Sequence, residues 1–393
     1  MAWGLVDQML SSATNFGGSV LAARTLSSAG FGSFAIVFSL YLISLGLSRA
    51  WSSEPLFVLY SGSVEAVQRE AVRAAGGFVV AVGAILAILV AVAGLLVRAV
   101  TGHALLVLAI CMPGLLLQDF ARLALIMFRQ SRSAAANDLL WLATMLVCFL
   151  LSRRTELTPA SAVALWAATG AVAGLVGIAQ LRCIPSGAVR SWFVRVASRS
   201  WRYASEFLLV TGTATTLTIA LALVSGLSRA AGFRGAQVLI GPLAALGMAV
   251  TIQVVPIMVR HVGDLASVAR LARKTSIGLA GVALVWMVVL LLLPESVGSQ
   301  LVGESWVEAR PLVPLVAITY VFAAAAIGAI AGLRAIGDAK ASLRVRTIVA
   351  PPTVVLGFGG AAIAGPAGAA FGLMLAAAIG IPIWWRTFLK RTS

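Results

Sequence analysis

The chain is poor in what a water-soluble protein needs. Only 11% of its 393 residues are charged, and just 13 are acidic, which excludes a single soluble domain, because such a domain carries a charged exterior. Its three cysteines, Cys111, Cys148 and Cys183, offer no spacing for a disulfide or a metal knuckle. The two histidines, His103 and His261, fall on opposite sides of the membrane in the topology read from the charges, so neither a metal nor another cofactor is expected. No G-x-x-x-x-G-K-[ST] loop is present, so direct ATP hydrolysis is not expected and an ion gradient or the membrane potential would have to drive any transport. A cleaved signal peptide is not expected either, since no basic region precedes the first apolar run and that run contains Asp7, Gln8 and Asn15.

What the sequence has in abundance is apolar length: 61% of its residues are hydrophobic. A membrane-spanning helix takes about 20 mainly apolar residues, and twelve such segments are predicted, near 3–26, 32–60, 76–97, 104–128, 134–151, 159–180, 203–226, 234–259, 275–293, 310–333, 345–363 and 366–388. Barrel strands would alternate in segments of about ten residues; these runs are long and rich in Leu, Ala and Val. The expected class is therefore an all-α polytopic membrane protein.

A net charge of +16 could mark a nucleic-acid binder, so the position of the charges decides. With a cytoplasmic N-terminus, twenty of the 29 basic residues fall in inner loops and inner helix ends. Six, Arg98, Arg153, Arg154, Arg229, Arg234 and Arg310, fall outside, and Arg24, Arg49 and Arg122 fall within spans. This is the asymmetry of the positive-inside rule. The basicity reports topology, with both termini cytoplasmic in a cell inner (plasma) membrane, and no nucleic-acid partner is implied.

The spans repeat. A29GF31 recurs as A231GF233, each ahead of a helix with a late proline, Pro55 or Pro256, and F128RQSR132 aligns with L333RAIGDAK340, which sets Arg129 over Arg334. Two six-helix halves are predicted, 1–181 and 204–393; an even number of helices per half gives them one orientation, as in parallel repeats. The join, 182–203, is basic with interleaved Trp192, Phe193 and Trp201, and its spacing suits an amphipathic helix in the inner interface as well as it suits a plain positive loop. Small-residue spacings G170AVAG174, G328AIAG332 and G368AAFG372 read as close helix packing.

Polar groups inside the spans carry the functional signal. At 100° per residue, Asp7, Ser11, Thr14, Asn15, Gly18 and Thr25 gather on one side of the first helix, where they would line protein or a watery interior; the hydroxyls could equally bond their own backbone. Each intramembrane arginine costs at least about 2.5 kcal/mol at a helix centre unless paired or hydrated. Arg122 follows Asp119 by three residues and can pair with it on one face. Arg49, in S48RAWSSEPL56, is suited to grip an anionic group such as a phosphate through two donors. Arg24 lies off the polar stripe near the end of its helix, where it could snorkel. The substrate-binding candidates are Arg49, Arg24, Arg122, Asn15, Asp119 and Ser11.

The run D7QMLSSATNFGGSVLAARTLSSAGFGSFAIVFSLYLISLGLSRAWSSEPL56 resembles the first two helices of polysaccharide and lipid-linked oligosaccharide flippases, in the superfamily that also holds multidrug and toxic compound exporters. The family pattern A-R-x-L-x-x-x-x-F-G-x-[FY] reads A23RTLSSAGFGSF34 here, and G332LRAIGDAKASLR344 is similar to the segment after the family's tenth helix. The resemblance implies two pseudo-symmetric six-helix bundles around a central cavity open alternately to each side. It implies a polyprenyl-pyrophosphate-linked saccharide as substrate, arginines that meet its phosphates, and glycan-assembly enzymes as protein partners beside the membrane lipids. The chain departs from the family in having few basic residues in its spans.

Three functional classes are compatible with such a chain. A flippase would move the lipid-linked saccharide from the inner to the outer leaflet for cell-surface polysaccharide assembly. A cation-coupled multidrug exporter of the same superfamily would want a deep acidic residue, for which Asp119 is the candidate. A membrane enzyme would want a large outer loop, and P294ESVGSQLVGESWVEAR310 is too short to build a soluble catalytic site; no enzymatic activity is expected.

Overall fold

A computed structural model describes residues 2–97 and 99–392; Arg98 of the outer basic set lies outside them. Among the described residues the secondary structure is helical throughout. The chain divides into two compact units, Met1–Thr215 and Thr216–Ser393.

The first unit holds α1 (Ala2–Thr25), α2 (Ser28–Trp51), α3 (Ser53–Tyr60), α4 (Glu65–Val97), α5 (Val100–Met127), α6 (Ser131–Leu151), α7 (Pro159–Leu181) and α8 (Val189–Phe207). Local chemistry starts these helices. The Ser27 hydroxyl accepts from Gly30 N at the head of α2, and Thr158 and Ser161 cap each other around Pro159 at the head of α7. Helix α5 is the hub, packed against α7, α4, α2 and α6. An aromatic column fills the space between α2 and α7: Trp166 meets Tyr41 edge-on at 4.9 Å and Phe38 at 5.4 Å, while Trp141 Nε1 donates to the Trp166 carbonyl at 3.0 Å.

A five-residue π-turn, Leu208–Gly212, leads into α9 (Thr213–Ser225). The second unit continues with α10 (Leu227–Val259), α11 (Leu265–Leu291), the short α12 (Glu295–Val302) and α13 (Trp306–Ala309), then α14 (Val313–Ala335) and α15 (Ala339–Thr392). Its core sets Ala272, Ala329, Leu333, Val345 and Phe388 together, and Trp286 and Trp385 tie α11 to α10 and α15 to α14 by donating to the Leu239 and Ala325 carbonyls.

Nine helical stretches among the described residues are long and apolar enough to cross a membrane; the protein is a multi-pass membrane protein. Every expected span falls on a helix. The difference in number has three local causes. Helix α1 is weighted with polar side chains, α9 is short, and α15 bends at Ala364 and Gly365 (φ 58°), which makes two limbs of one helix at the boundary expected between 363 and 366.

The glycine spacings mark close contacts. A Cβ at Gly174 on α7 would collide with the Gly114 carbonyl of α5, one at Gly328 on α14 with the Ala272 carbonyl of α11, and one at Gly368 with the Gly360 carbonyl across the α15 bend. The repeat in the loops after α5 and α14 is more exact in turn than in sequence. Each helix ends with a bond from a residue back over one turn, Gln130 N to Leu125 O at 2.8 Å and Asp338 N to Leu333 O at 3.1 Å. The left-handed residue in that turn is Arg129 (φ 60°) in one case and Gly337 (φ 75°) in the other. In the turn itself Arg129 holds the position that Gly337 holds in the other loop, while Arg334 lies in the last turn of α14.

Candidate functional site

Five charged side chains converge inside the first unit. Asp119 and Arg122 lie one helical turn apart on α5, so they share a face. Asp119 Oδ1 accepts from Arg122 Nη2 at 3.2 Å, which is the pair expected from the spacing. Asp119 also accepts from Arg49 of α2 through two parallel bonds, Nε to Oδ2 at 2.7 Å and Nη2 to Oδ1 at 2.5 Å. Arg122 Nη1 then reaches Asp7 of α1 at 3.2 Å and Asp138 of α6 at 3.5 Å. Two guanidinium groups therefore hold three carboxylates, drawn from four helices. The low dielectric that penalises a single charge strengthens such a network when its members are paired.

An amide relay extends the network toward α7. Gln118 Nε2 donates to Asp138 Oδ1 at 2.7 Å and to Asn137 Oδ1 at 3.2 Å; Asn137 Nδ2 donates to the Ala173 carbonyl at 2.8 Å and to Gln180 Oε1 at 3.2 Å. The carboxyl groups of Asp7, Asp119 and Asp138 and the Arg122 guanidinium are buried, whereas the Arg49 side chain is 37% exposed. Arg49 is thus where the network reaches the edge of the bundle. Its third nitrogen, Nη1, takes no part in the fork to Asp119.

Arg49 owes its position to a break in its helix. Pro55 has no N–H for the carbonyl of Trp51, and its ring crowds that carbonyl, so α2 ends at Trp51 and α3 begins at Ser53. Two side chains repair the break. The Ser52 hydroxyl donates to the Ser48 carbonyl at 2.6 Å, and the Trp192 indole of α8 donates to the Trp51 carbonyl at 2.9 Å. On the adjoining turn, the Phe207 ring lies over Gly46, in space a Cβ would occupy. Helix α8 accordingly braces the turns on both sides of Arg49.

Of the six residues singled out from sequence, the structure brings Arg49, Asp119 and Arg122 together. Arg24 is exposed near the end of α1. Asn15 and Ser11 lie one turn apart on α1, with Asn15 Nδ2 donating to the Ser11 carbonyl at 3.1 Å; Asn15 Oδ1 is buried without a hydrogen-bond partner among the described residues. The hydroxyls of Thr14, Ser19 and Thr25 bond the carbonyls of Leu10, Asn15 and Leu21, one turn back. For Thr14 and Thr25, the stripe members among them, the backbone option holds, and no cavity is needed to satisfy their hydroxyls. Sequence reasoning placed Asp7 on the stripe but not in the network, and passed over Asp138. The available signal was a doublet: Gln118–Asp119 on one helix and Asn137–Asp138 on the next each set an amide beside an acid within an apolar run.

No family model and no curated protein matches the chain. Solved structures do, at low identity. A structure of the lipid II flippase MurJ in an inward closed conformation superposes with a TM-score of 0.79 at 13% identity, over 100% of this chain and 90% of that one. An inward-facing multidrug resistance MATE family transporter of the MOP superfamily superposes at 0.70 and 13% identity, over 98% of this chain and 94% of that one. The chain therefore has the fold shared by these flippases and exporters.

Proposed function

We propose that this protein is a flippase that carries a polyprenyl-pyrophosphate-linked saccharide from the inner to the outer leaflet by alternating access, serving cell-surface polysaccharide assembly. The observation that carries the reading is the placement of Arg49, a guanidinium within a membrane-spanning segment, clamped through two nitrogens, with part of its surface still exposed. A fork held in this way is oriented before a ligand arrives, which lowers the cost of ordering it around a phosphate oxygen. The full-length similarity to a lipid II flippase supports the substrate class. Asn15, whose amide oxygen has no hydrogen-bond partner among the described residues, would meet sugar hydroxyls; Arg24, Arg122, Asp119 and Ser11 complete the proposed set, with Arg122 and Asp119 holding Arg49 in place. The saccharide head would enter the polar interior while the prenyl tail stays in lipid. Inner (plasma) membrane placement with both termini cytoplasmic belongs to this reading and rests on the distribution of arginines; glycan-assembly enzymes as partners follow from the flippase reading itself.

A second reading, a cation-coupled multidrug exporter, is favoured by one observation: the network sets three carboxylates against two guanidinium groups, a balance that suits a cationic ligand. Depletion of the protein in its host separates the two. The flippase reading expects a lipid-linked saccharide to accumulate with its head on the cytoplasmic side; a change confined to sensitivity toward cationic drugs would replace it with the exporter.

A further inference from the structure

We propose that the outer face of α8 is a docking surface for the anionic head groups of inner-leaflet lipids. The observations are independent of the transported substrate. From Arg182 to Ser205 the chain has no acidic residue and carries arginines at 182, 190, 195, 199 and 202. At 100° per residue, Trp192, Val196, Ser200 and Ala204 fall on one stripe, and these four are the buried residues of the helix. That stripe faces α2, α3 and α4, which fixes where the remaining side chains point.

The free surface is itself divided. On one flank, Val194 and Trp201 are 69% and 65% exposed, with the exposed Arg190 of the first turn beside them by angle; on the other, Arg195, Arg199 and Arg202 are exposed, roughly 80° to 160° around the helix from the apolar pair by the same geometry. Trp201 is anchored rather than loose, since its ring stands edge-on to Trp51 at 5.3 Å, and Phe193 stacks flat on the other part of the same cluster at 5.1 Å from Trp51. Arg195 is also oriented, with Nη1 donating to the Tyr60 hydroxyl at 2.8 Å. A helix with an apolar flank and an adjoining basic flank lies in the plane of a membrane surface, with its apolar flank among the upper acyl segments and its arginines at head-group level. An aromatic ring next to the arginines marks the same level. Charge complementarity selects the occupant: a row of guanidinium groups with no interspersed acid fits phosphate-bearing anionic lipid and gains nothing from a zwitterionic one.

The test uses the full-length protein in lipid nanodiscs of phosphatidylcholine containing the same mole fraction of either brominated phosphatidylglycerol or brominated phosphatidylcholine. Bromine quenches tryptophan on contact, and the difference between wild type and Trp201→Phe isolates the signal of Trp201 from those of the other tryptophans. The Trp201 signal is expected to be quenched by both lipids, with an apparent enrichment of phosphatidylglycerol of about fivefold or more, the factor one favourable basic contact supplies. The enrichment should vanish in the R195Q/R199Q/R202Q variant and shrink in wild type as salt is raised, a control that needs no variant. Equal quenching by the two lipids would overturn the proposal in favour of an interfacial anchor without head-group preference. No quenching of Trp201 by either lipid would overturn it in favour of a face covered by protein or water.

Discussion

Arg49 of α2 and Asp119 of α5, 70 residues apart in the chain, meet through a two-point fork in which each nitrogen has its own carboxylate oxygen. The fork makes one prediction sharper than charge alone. Arg49→Lys keeps the positive charge and loses the planar pair of donors, so substrate translocation in proteoliposomes should fall by at least about tenfold. Arg49→Ala should abolish it and lower stability by about 1–3 kcal/mol, because Asp119 then depends on Arg122 alone. Wild-type translocation by either variant would remove Arg49 from the substrate path.

Arg122 is the member whose loss the bundle should tolerate least. Its guanidinium touches Asp7, Asp119 and Asp138, and Arg122→Met would remove the guanidinium that Asp7 and Asp138 share and leave Asp119 with Arg49. Removing one side of a buried ion pair costs about 3–5 kcal/mol. Thermal unfolding in detergent should show that loss, and adding Asp7→Asn and Asp138→Asn should recover much of it. A triple variant no more stable than Arg122→Met alone would refute the network as drawn.

These two residues also show how far the sequence could be read. Asp119 and Arg122 are one turn apart, so local helix geometry reveals their pairing. The bonds to Arg49, Asp7 and Asp138 depend on which faces of α1, α2 and α6 turn toward α5; a glycine spacing marks that a helix is closely packed, but not which helix it meets or in what register. Span positions were legible because the bilayer imposes a length on each helix. The bend within α15 was visible as a boundary, at Gly365 and Pro366, but not as a continuous helix. The α1 hydroxyls were ambiguous for a physical reason: a serine or threonine satisfied by its own backbone has the same spacing as one that lines a cavity.

The break at Ser52 yields a cycle that can be closed experimentally. Trp192→Phe removes the donor to the Trp51 carbonyl while keeping an aromatic ring, and should cost about 1–2 kcal/mol. In a Pro55→Ala background the alanine N–H can serve that carbonyl instead, so the same substitution should cost less than half as much. Equal costs in the two backgrounds would show that the indole bond does not substitute for the missing proline donor.

Packing between α5 and α7 gives a prediction free of electrostatics. Gly174→Ala sets a methyl group against the Gly114 carbonyl and should destabilise the protein by about 1–3 kcal/mol. Gly187→Ala, where a Cβ meets nothing within 4 Å, should leave the melting temperature unchanged. A neutral Gly174→Ala would mean that the two helices separate without penalty.

The indole that completes the α2 break lies 141 residues beyond the carbonyl it serves. While the polypeptide is being made, that carbonyl has no designated donor until α3 to α7 have all been synthesised, a wait of roughly 10–30 s at ordinary elongation rates. Arg49 therefore reaches its final orientation late in biogenesis, and a nascent chain stalled before Trp192 would hold all of its charged residues of α1, α2, α5 and α6 yet lack the clasp that sets one of them.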